Sequence, residues 1–364
     1  MAEIHAARRA RAQQKIARAD ADAALITFPP NVRYLSGLVS SNAAVLLPAR
    51  GPAVLATDSR YAEAARRDCD DLELLEARQV EAGLATLATG RGYGVLAFEA
   101  QDLTVERHAA LAALSDAPVL VPLGHAVEEL RMVKDEDEIA LLGRACELTD
   151  QAFAAVLAQI RPGRTERELA VALERAMVDL GADGVAFDTI VASGPNGAIP
   201  HHAPGNRAFE PGDLVTVDCG ARYRGYHADM TRTVALGQPS PWQREIYELV
   251  ATAQRAGVAA AQPGADVADV DAAARDLITQ AGHGEHFQHG LGHGVGLEVH
   301  EAPIMGYGRT GRLGDRVPVT VEPGVYLPGK GGVRIEDTLV VRAGSDPAGP
   351  AQILTTTTRE LLVL

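Results

Sequence analysis

Apolar residues fall in short blocks along residues 4–125. AALITF, AAVLLP, PAVLAT, LELLEA and GVLAFE are compact and rich in Leu, Val and Ala, which predicts strands. Between them, EAARRD and VERHAALAAL carry apolar residues at helical spacing, which predicts helices. The alternation points to a small α/β domain. Over residues 128–160 the pattern changes: EELRMVKDEDEIALLGRACELTDQAFAAVLAQI sets apolar residues at helical spacing behind an acidic stretch of the kind that helix N-termini favour. A domain boundary is expected near residue 128, with an N-terminal domain over 1–128 and a larger one over 129–364.

The larger part contains an internal repeat. A long helical stretch stops at Pro162-Gly163 and leads into RTERELAVALERAMVDLGA; a second stops at Pro263-Gly264, 101 positions on, and leads into ADVADVDAAARDLITQAGH. After each helix pair comes a β run ending in an acid, Val215-Thr216-Val217-Asp218 and then Val319-Thr320-Val321-Glu322, 104 positions apart. Each acid leads into a glycine-containing turn, and the returning strand carries a second acid, Asp229 or Glu336. Two helix pairs and two hairpins related by a pseudo-twofold axis would bring both carboxylate pairs between facing sheets, in an α+β domain.

Acids beside hairpin turns are commonly solvated. Asp218, however, ends the apolar run LVTV and Glu322 ends VPVTV, where an unpaired carboxylate is strongly disfavoured. Within residues 333–339, strand alternation places Arg334, Glu336 and Thr338 on one face. HGLGHGVGL is too glycine-rich for a stable helix and reads as a strand packed close to a neighbour, with His289 and His293 both pointing inward. A lone histidine there would be structural, but His289, His293 and His300 in one segment favour a site. Asp218, Asp229, Glu322, Glu336 and His293 form a hard, oxygen-rich set that would neutralise two divalent cations, with Mn²⁺, Co²⁺ and Zn²⁺ all admissible. Two such ions roughly 3.5 to 4 Å apart share a water, lower its pKa and polarise a carbonyl. Amide hydrolysis is the expected use, with nearby histidines holding the substrate and the developing oxyanion.

Composition narrows the class. In 364 residues, 47% are hydrophobic and 23% charged, which suits a globular chain of two domains. A net charge of −14 argues against a nucleic-acid scaffold, which needs a basic face. The three cysteines, Cys69, Cys146 and Cys219, lie far apart without a CxxC spacing, as expected in a reducing compartment. The N-terminal stretch is charged throughout and lacks the apolar core of a signal peptide or membrane helix, so a cytoplasmic location with no membrane partner is expected.

At this point the C-terminal portion resembles the pita-bread (M24-type) metallopeptidases, in the branch of prolidase (Xaa-Pro dipeptidase) and Xaa-Pro aminopeptidase. Three segments carry the resemblance: Asp218-Cys219-Gly220 with Gly225-Tyr226-His227-Ala228-Asp229-Met230-Thr231-Arg232-Thr233; HGLGHGVGLEVHE over 289–301; and VEPGVYLPGKGGVRIED over 321–337. More loosely, NVRYLSGL and MVKDEDEIALL resemble the creatinase/prolidase-type N-terminal domain. The resemblance implies an α/β N-terminal domain followed by a pita-bread (creatinase/aminopeptidase) catalytic domain. It implies two metal ions, Mn²⁺ foremost, with Asp229 and Glu336 bridging, Asp218 completing one ion, and His293 and Glu322 the other. Glu322 would also be the general base. His201 and His300 would line the substrate pocket, together with His289; His202 competes with His201, which is favoured because it lies 17 positions before Asp218. Arg334 would bind a substrate carboxylate, support the metal ligands, or pair with the acidic cluster.

The implied reaction is hydrolysis of the bond before proline in a small peptide, as a dipeptidase. An aminopeptidase acting on longer Xaa-Pro peptides is the alternative, and a non-peptidase C–N hydrolase on the same fold is the reading from another class. A homodimer is expected from the resemblance.

Overall fold

The computed structural model describes residues 2–344 and 351–364, and the chain divides into two compact units, Met1–Arg131 and Met132–Leu364. The first unit comprises α1 (Ala2–Arg18), β1 (Ala23–Ile26), α2 (Pro29–Ser36), β2 (Ala43–Pro48), β3 (Val54–Thr57), α3 (Ala62–Asp68), β4 (Glu73–Glu76), α4 (Val80–Gly90), β5 (Val95–Phe98), α5 (Val105–Ala112), β6 (Val119–Pro122) and α6 (Glu128–Arg131). Its strands form one mixed sheet in the order β4-β3-β2-β1-β5-β6. Leu25 on β1 sits opposite Leu46 on the antiparallel β2 and Phe98 on the parallel β5. Strands β1 and β3 are buried along their whole length, so they read as unbroken apolar runs instead of alternating ones. The five apolar runs and two helical stretches expected from the sequence are strands and helices here; β6, α1, α2 and α4 join them.

In the second unit the elements are α7 (Glu136–Val156), α8 (Glu166–Asp179), β7 (Gly184–Val185), β8 (Ile190–Ser193), β9 (Leu214–Cys219), β10 (Ala221–Tyr223), β11 (Tyr226–His227), β12 (Met230–Ala235), α9 (Pro241–Ala260), α10 (Val267–Gln280), β13 (Gly292–Gly294), β14 (Glu301–Met305), β15 (Val317–Val321), β16 (Gly324–Leu327), β17 (Gly331–Arg334), β18 (Asp337–Val341) and β19 (Ala351–Ile353). The helical stretch expected over 128–160 is broken at 132–135. There Asp135 starts α7 with a reciprocal capping box to Glu138, and the Lys134 ammonium is buried on Glu301 at 2.8 Å.

The repeat is visible in backbone detail. Gly163 and Gly264 adopt the same left-handed conformation, φ +84° and +86°, which a side chain would strain. Each then donates its N–H to a later carbonyl, Phe209 O at 2.9 Å and Leu313 O at 2.7 Å. β9 pairs antiparallel with β12 (Asp218 opposite Thr231), and β15 with β18 (Val321 opposite Asp337). Between each pair the chain detours through a smaller hairpin, β10/β11 or β16/β17.

One expectation needs correction. Arg334 and Glu336 do not share a strand: β17 ends at Arg334, β18 begins at Asp337, and Glu336 lies in the link. Asp229 likewise sits just before β12. The reason is the change of sheet between the small hairpin and the main ladder. The two links meet across the pseudo-twofold axis, where Glu336 N donates to Thr231 O at 3.1 Å and Thr338 Oγ1 donates to Asp229 O at 2.8 Å.

Candidate metal centre

Two duplicated hairpins therefore deliver four carboxylates to one seam, and β13 supplies the imidazole. β13 can approach because Gly292 and Gly294 have no side chains: a Cβ would lie 2.0 Å from Thr320 O and 2.2 Å from Ala302 O, respectively. His293 is anchored by its backbone N–H to Thr320 Oγ1 at 3.1 Å. Its Nδ1 lies 3.0 Å from the Gly294 carbonyl and must donate to it, which leaves the Nε2 lone pair facing Asp229 Oδ2 at 3.7 Å and Glu322 Oε1 at 3.4 Å. Burial pushes the His293 imidazole down to about 4, so it is neutral at pH 7.

One ligand atom each from Asp229, His293 and Glu336 lies within 4.8 Å of the other two. Asp229 and Glu336 are 5% and 1% exposed, and Glu322 keeps 18% of its side chain open to the cavity. Asp218 Oδ2 accepts from Arg334 Nη2 at 2.7 Å, and its buried Oδ1 has no hydrogen-bond partner among the described residues. Burial first, then mutual repulsion with Glu336 above all, pushes the Asp229 and Glu322 carboxyls well above the ordinary range. Burial and Asp218 push Glu336 up to about 8. Lone pairs thus converge here without enough N–H or O–H donors between them, an arrangement that suits divalent cations.

This crowding has a measurable consequence. Glu336 titrates near 8 when folded and near 4.5 in an open chain, so the chelator-treated fold binds more protons than the unfolded chain between those values. Its stability should fall as pH rises from about 5 to about 8, and added divalent metal should abolish that fall. Thermal unfolding across this range tests it; a flat profile for the chelated protein would contradict the crowding.

Arg334 is buried and fully engaged. Beyond Asp218, it donates from Nε to Thr231 Oγ1 at 3.1 Å and from Nη1 to Tyr326 Oη at 2.8 Å. Thr231 Oγ1 in turn donates to Glu336 Oε2 at 2.7 Å. His289 Nδ1 faces Gly290 O at 2.8 Å, so its Nε2, 2.9 Å from Tyr326, accepts the phenolic proton. Burial pushes His289 down to about 4, consistent with a neutral ring.

Asp218, Asp229, His293, Glu322 and Glu336 line one cavity of about 810 Å³, and so do His201, His202, His289, His300 and Arg334. His289 precedes the short strand β13 instead of lying on it, yet it faces the same space as His293. The His300 ring packs edge-on to His293, centroids 4.3 Å apart. His201 is exposed to the cavity, whereas His202 is tied through Nε2 to Glu166 at 2.8 Å. The remaining walls include Phe187, Ile190, Val299 and Ile304. Sequence reading missed Tyr326, Thr231 and Thr320. Tyr326 lies inside a quoted motif, four residues after Glu322, but nothing in strand alternation marks it as the partner of both Arg334 and His289.

Comparison with known proteins agrees with this geometry. The Metallopeptidase family M24 profile matches residues 140–343, and that of the Creatinase/Prolidase N-terminal domain matches residues 8–133. YqhT, an uncharacterized peptidase of Bacillus subtilis, is 39% identical over 345 residues, covering 94% of this chain and 96% of its own. The structure of the Xaa-Pro dipeptidase from Bacillus anthracis superposes with a TM-score of 0.93 at 37% identity, covering 99% of this chain and 100% of that one. That of the X-Pro aminopeptidase from Thermotoga maritima gives 0.87 at 36% identity, covering 95% and 98%. With its creatinase-like N-terminal domain and its duplicated pita-bread domain, the chain belongs to metallopeptidase family M24.

Proposed function

We propose that this metallopeptidase hydrolyses the peptide bond before proline in Xaa-Pro dipeptides, with Asp218, Asp229, His293, Glu322 and Glu336 holding two divalent ions. The observation that carries the reading is the donor set: four carboxylates and one neutral imidazole converge at one cavity, with a buried oxygen of Asp218 lacking a hydrogen-bond partner among the described residues. Asp229 and Glu336, meeting at the seam between the halves, would be the pair shared by both ions. The oxygen-rich composition favours Mn²⁺ over softer metals, with Co²⁺ and Zn²⁺ as substitutes. When bound, such ions lower the pKa of water and polarise the scissile carbonyl.

The chain's own groups do the rest. Glu322 accepts the proton of the attacking water on its carboxylate and returns it to the proline nitrogen as the C–N bond breaks. His300 and His201 donate to the carbonyl oxygen as negative charge develops there. Arg334 acts on the ligands and Tyr326 holds Arg334: one guanidinium bond fixes Asp218, a second fixes Thr231 and a third goes to Tyr326, which favours support of the metal site over capture of a substrate carboxylate. The neutral His289 ring holds Tyr326 in place and gives the cavity an imidazole wall.

The homodimer and the cytoplasmic location belong to the same reading. The three cysteines are free and buried, in keeping with a reducing compartment, and no helix among the described residues is long and apolar enough to cross a membrane.

The likeness to an X-Pro aminopeptidase supports a second reading, action on longer peptides. Hydrolysis of an Xaa-Pro dipeptide against an Xaa-Pro-Xaa tripeptide, each with and without chelator, separates the two. Cleavage confined to the dipeptide is expected. Preference for the tripeptide would select the aminopeptidase, and cleavage of neither would leave a non-peptidase C–N hydrolase.

A further inference from the structure

The loop over 194–206, between β8 and β9, presents Pro200, His201 and His202 to the cavity. Apart from one short 3₁₀ turn it has no regular structure, so its shape must be imposed from outside. On one side it lies directly against β17: a Cβ on Gly332 would stand 2.2 Å from Gly197 O, and one on Gly331 2.9 Å from Gly194 O. On the other side stands Glu166, the first residue of α8, with no exposed surface.

The Glu166 carboxylate gathers the whole loop. Oε1 accepts from Ser193 N at 2.9 Å, Ser193 Oγ at 2.8 Å and Asn196 Nδ2 at 2.9 Å. Oε2 accepts from Gly205 N at 3.1 Å and from His202 Nε2 at 2.8 Å. Burial pushes this carboxyl up, but the bonds from Asn196, His202 and Ser193 outweigh it and hold it below its ordinary value. Helix capping does not account for the arrangement, because Thr165 and Glu168 already form a complete capping box on α8. His201 sits between two anchored neighbours: Pro200 O accepts from Arg334 Nη1 at 3.4 Å, and His202 is held by Glu166. The His201 ring has no hydrogen-bond partner among the described residues, so its place is set by the backbone that carries it.

We propose that Glu166 is a positioning residue for hydrolysis: by clamping Ser193, Asn196, His202 and Gly205 on one carboxylate, it fixes where the His201 imidazole meets the substrate. The inference rests on the reading of His201 as a substrate-facing residue. Because an error of about 1 Å in such a group can lower a rate about 100-fold, the clamp has kinetic consequences without touching substrate.

The test is a double-mutant cycle on the Mn²⁺-loaded full chain, reading kcat and KM on an Xaa-Pro dipeptide, bound metal and thermal unfolding for wild type, Glu166→Gln, His201→Ala and the double variant. Glu166→Gln should lose roughly 10- to 100-fold in kcat/KM, mainly in kcat, while keeping its metal. The double variant should stay within about twofold of His201→Ala alone, because Glu166 acts through His201. Losses that multiply, metal loss in step with activity, or wild-type activity in Glu166→Gln would overturn the proposal. If His201→Ala itself turns over at the wild-type rate, the substrate-facing reading of His201 fails; multiplied losses would leave that reading standing and remove only the role of Glu166. Should Glu166→Gln not fold, His202→Ala, which removes one of the five bonds, replaces it in the cycle with the same expected non-additivity and the same contrary outcomes.

Discussion

Replacing Glu336 by alanine is expected to abolish hydrolysis, with kcat/KM falling by at least about 10³-fold, beyond the roughly 10- to 100-fold that loss of a residue supporting a ligand brings. The carboxylate stands at the seam of the two halves, within 4.8 Å of ligand atoms on Asp229 and His293, and Thr231 Oγ1 aims its side chain at 2.7 Å. In the proposed site Glu336 would be shared by both ions, so on its removal bound metal should fall together with turnover. The fold should survive, because Glu336 accepts only that one side-chain hydrogen bond among the described residues and suffers repulsion from Asp218. Metal analysis and a dipeptide assay on the folded variant check this. Retained turnover with full metal content would show that the shared position belongs to another residue.

The neighbouring carboxylate should behave in the opposite way. Asp337→Ala is expected to destabilise the fold by about 3–5 kcal/mol, the usual consequence of removing one partner from a buried ionic network. Asp337 has no exposed surface and is saturated with donors. Oδ1 accepts from Arg232 Nη2 at 2.8 Å and Thr355 Oγ1 at 2.8 Å; Oδ2 accepts from Gln254 Nε2 at 2.7 Å and from Arg359 Nε. Without it the guanidinium of Arg232, 2% exposed, stays buried with only backbone carbonyls as partners among the described residues. Denaturant unfolding of metal-loaded Asp337→Ala measures the loss, and a midpoint unchanged from wild type would show that the network relaxes without Asp337. Two adjacent acids thus divide the work. Glu336 is short of donors and suited to cations, while Asp337 is full of them and ties the C-terminal residues to the core.

That division was not legible in the sequence. Alternation over 333–339 predicts one continuous strand with Arg334, Glu336 and Thr338 on a face, but the chain changes sheets at Ile335-Glu336, inside a run that is buried throughout. Burial on both faces erases the period-two signal on which such a reading depends. What the sequence did carry was the duplication: Pro162-Gly163 and Pro263-Gly264 recur because both turns need a left-handed glycine, and an acid ends an apolar run in both β9 and the segment after β15. The close packing of the histidine strand was legible for a similar reason, since Gly292 and Gly294 leave no room for side chains. Contacts between distant residues were not. Lys134 with Glu301, Glu166 with the loop before Arg207, and Tyr326 with both Arg334 and His289 follow from tertiary closure, and each residue on its own looks like an ordinary surface or core position.

The most direct test strips the protein with chelator and titrates Mn²⁺ back, following bound metal and Xaa-Pro dipeptide hydrolysis in the same samples. Activity should vanish on stripping and return in full only as occupancy approaches two ions per chain. Turnover that survives thorough metal removal, or that saturates at a single ion, would contradict a dinuclear site built from Asp218, Asp229, His293, Glu322 and Glu336.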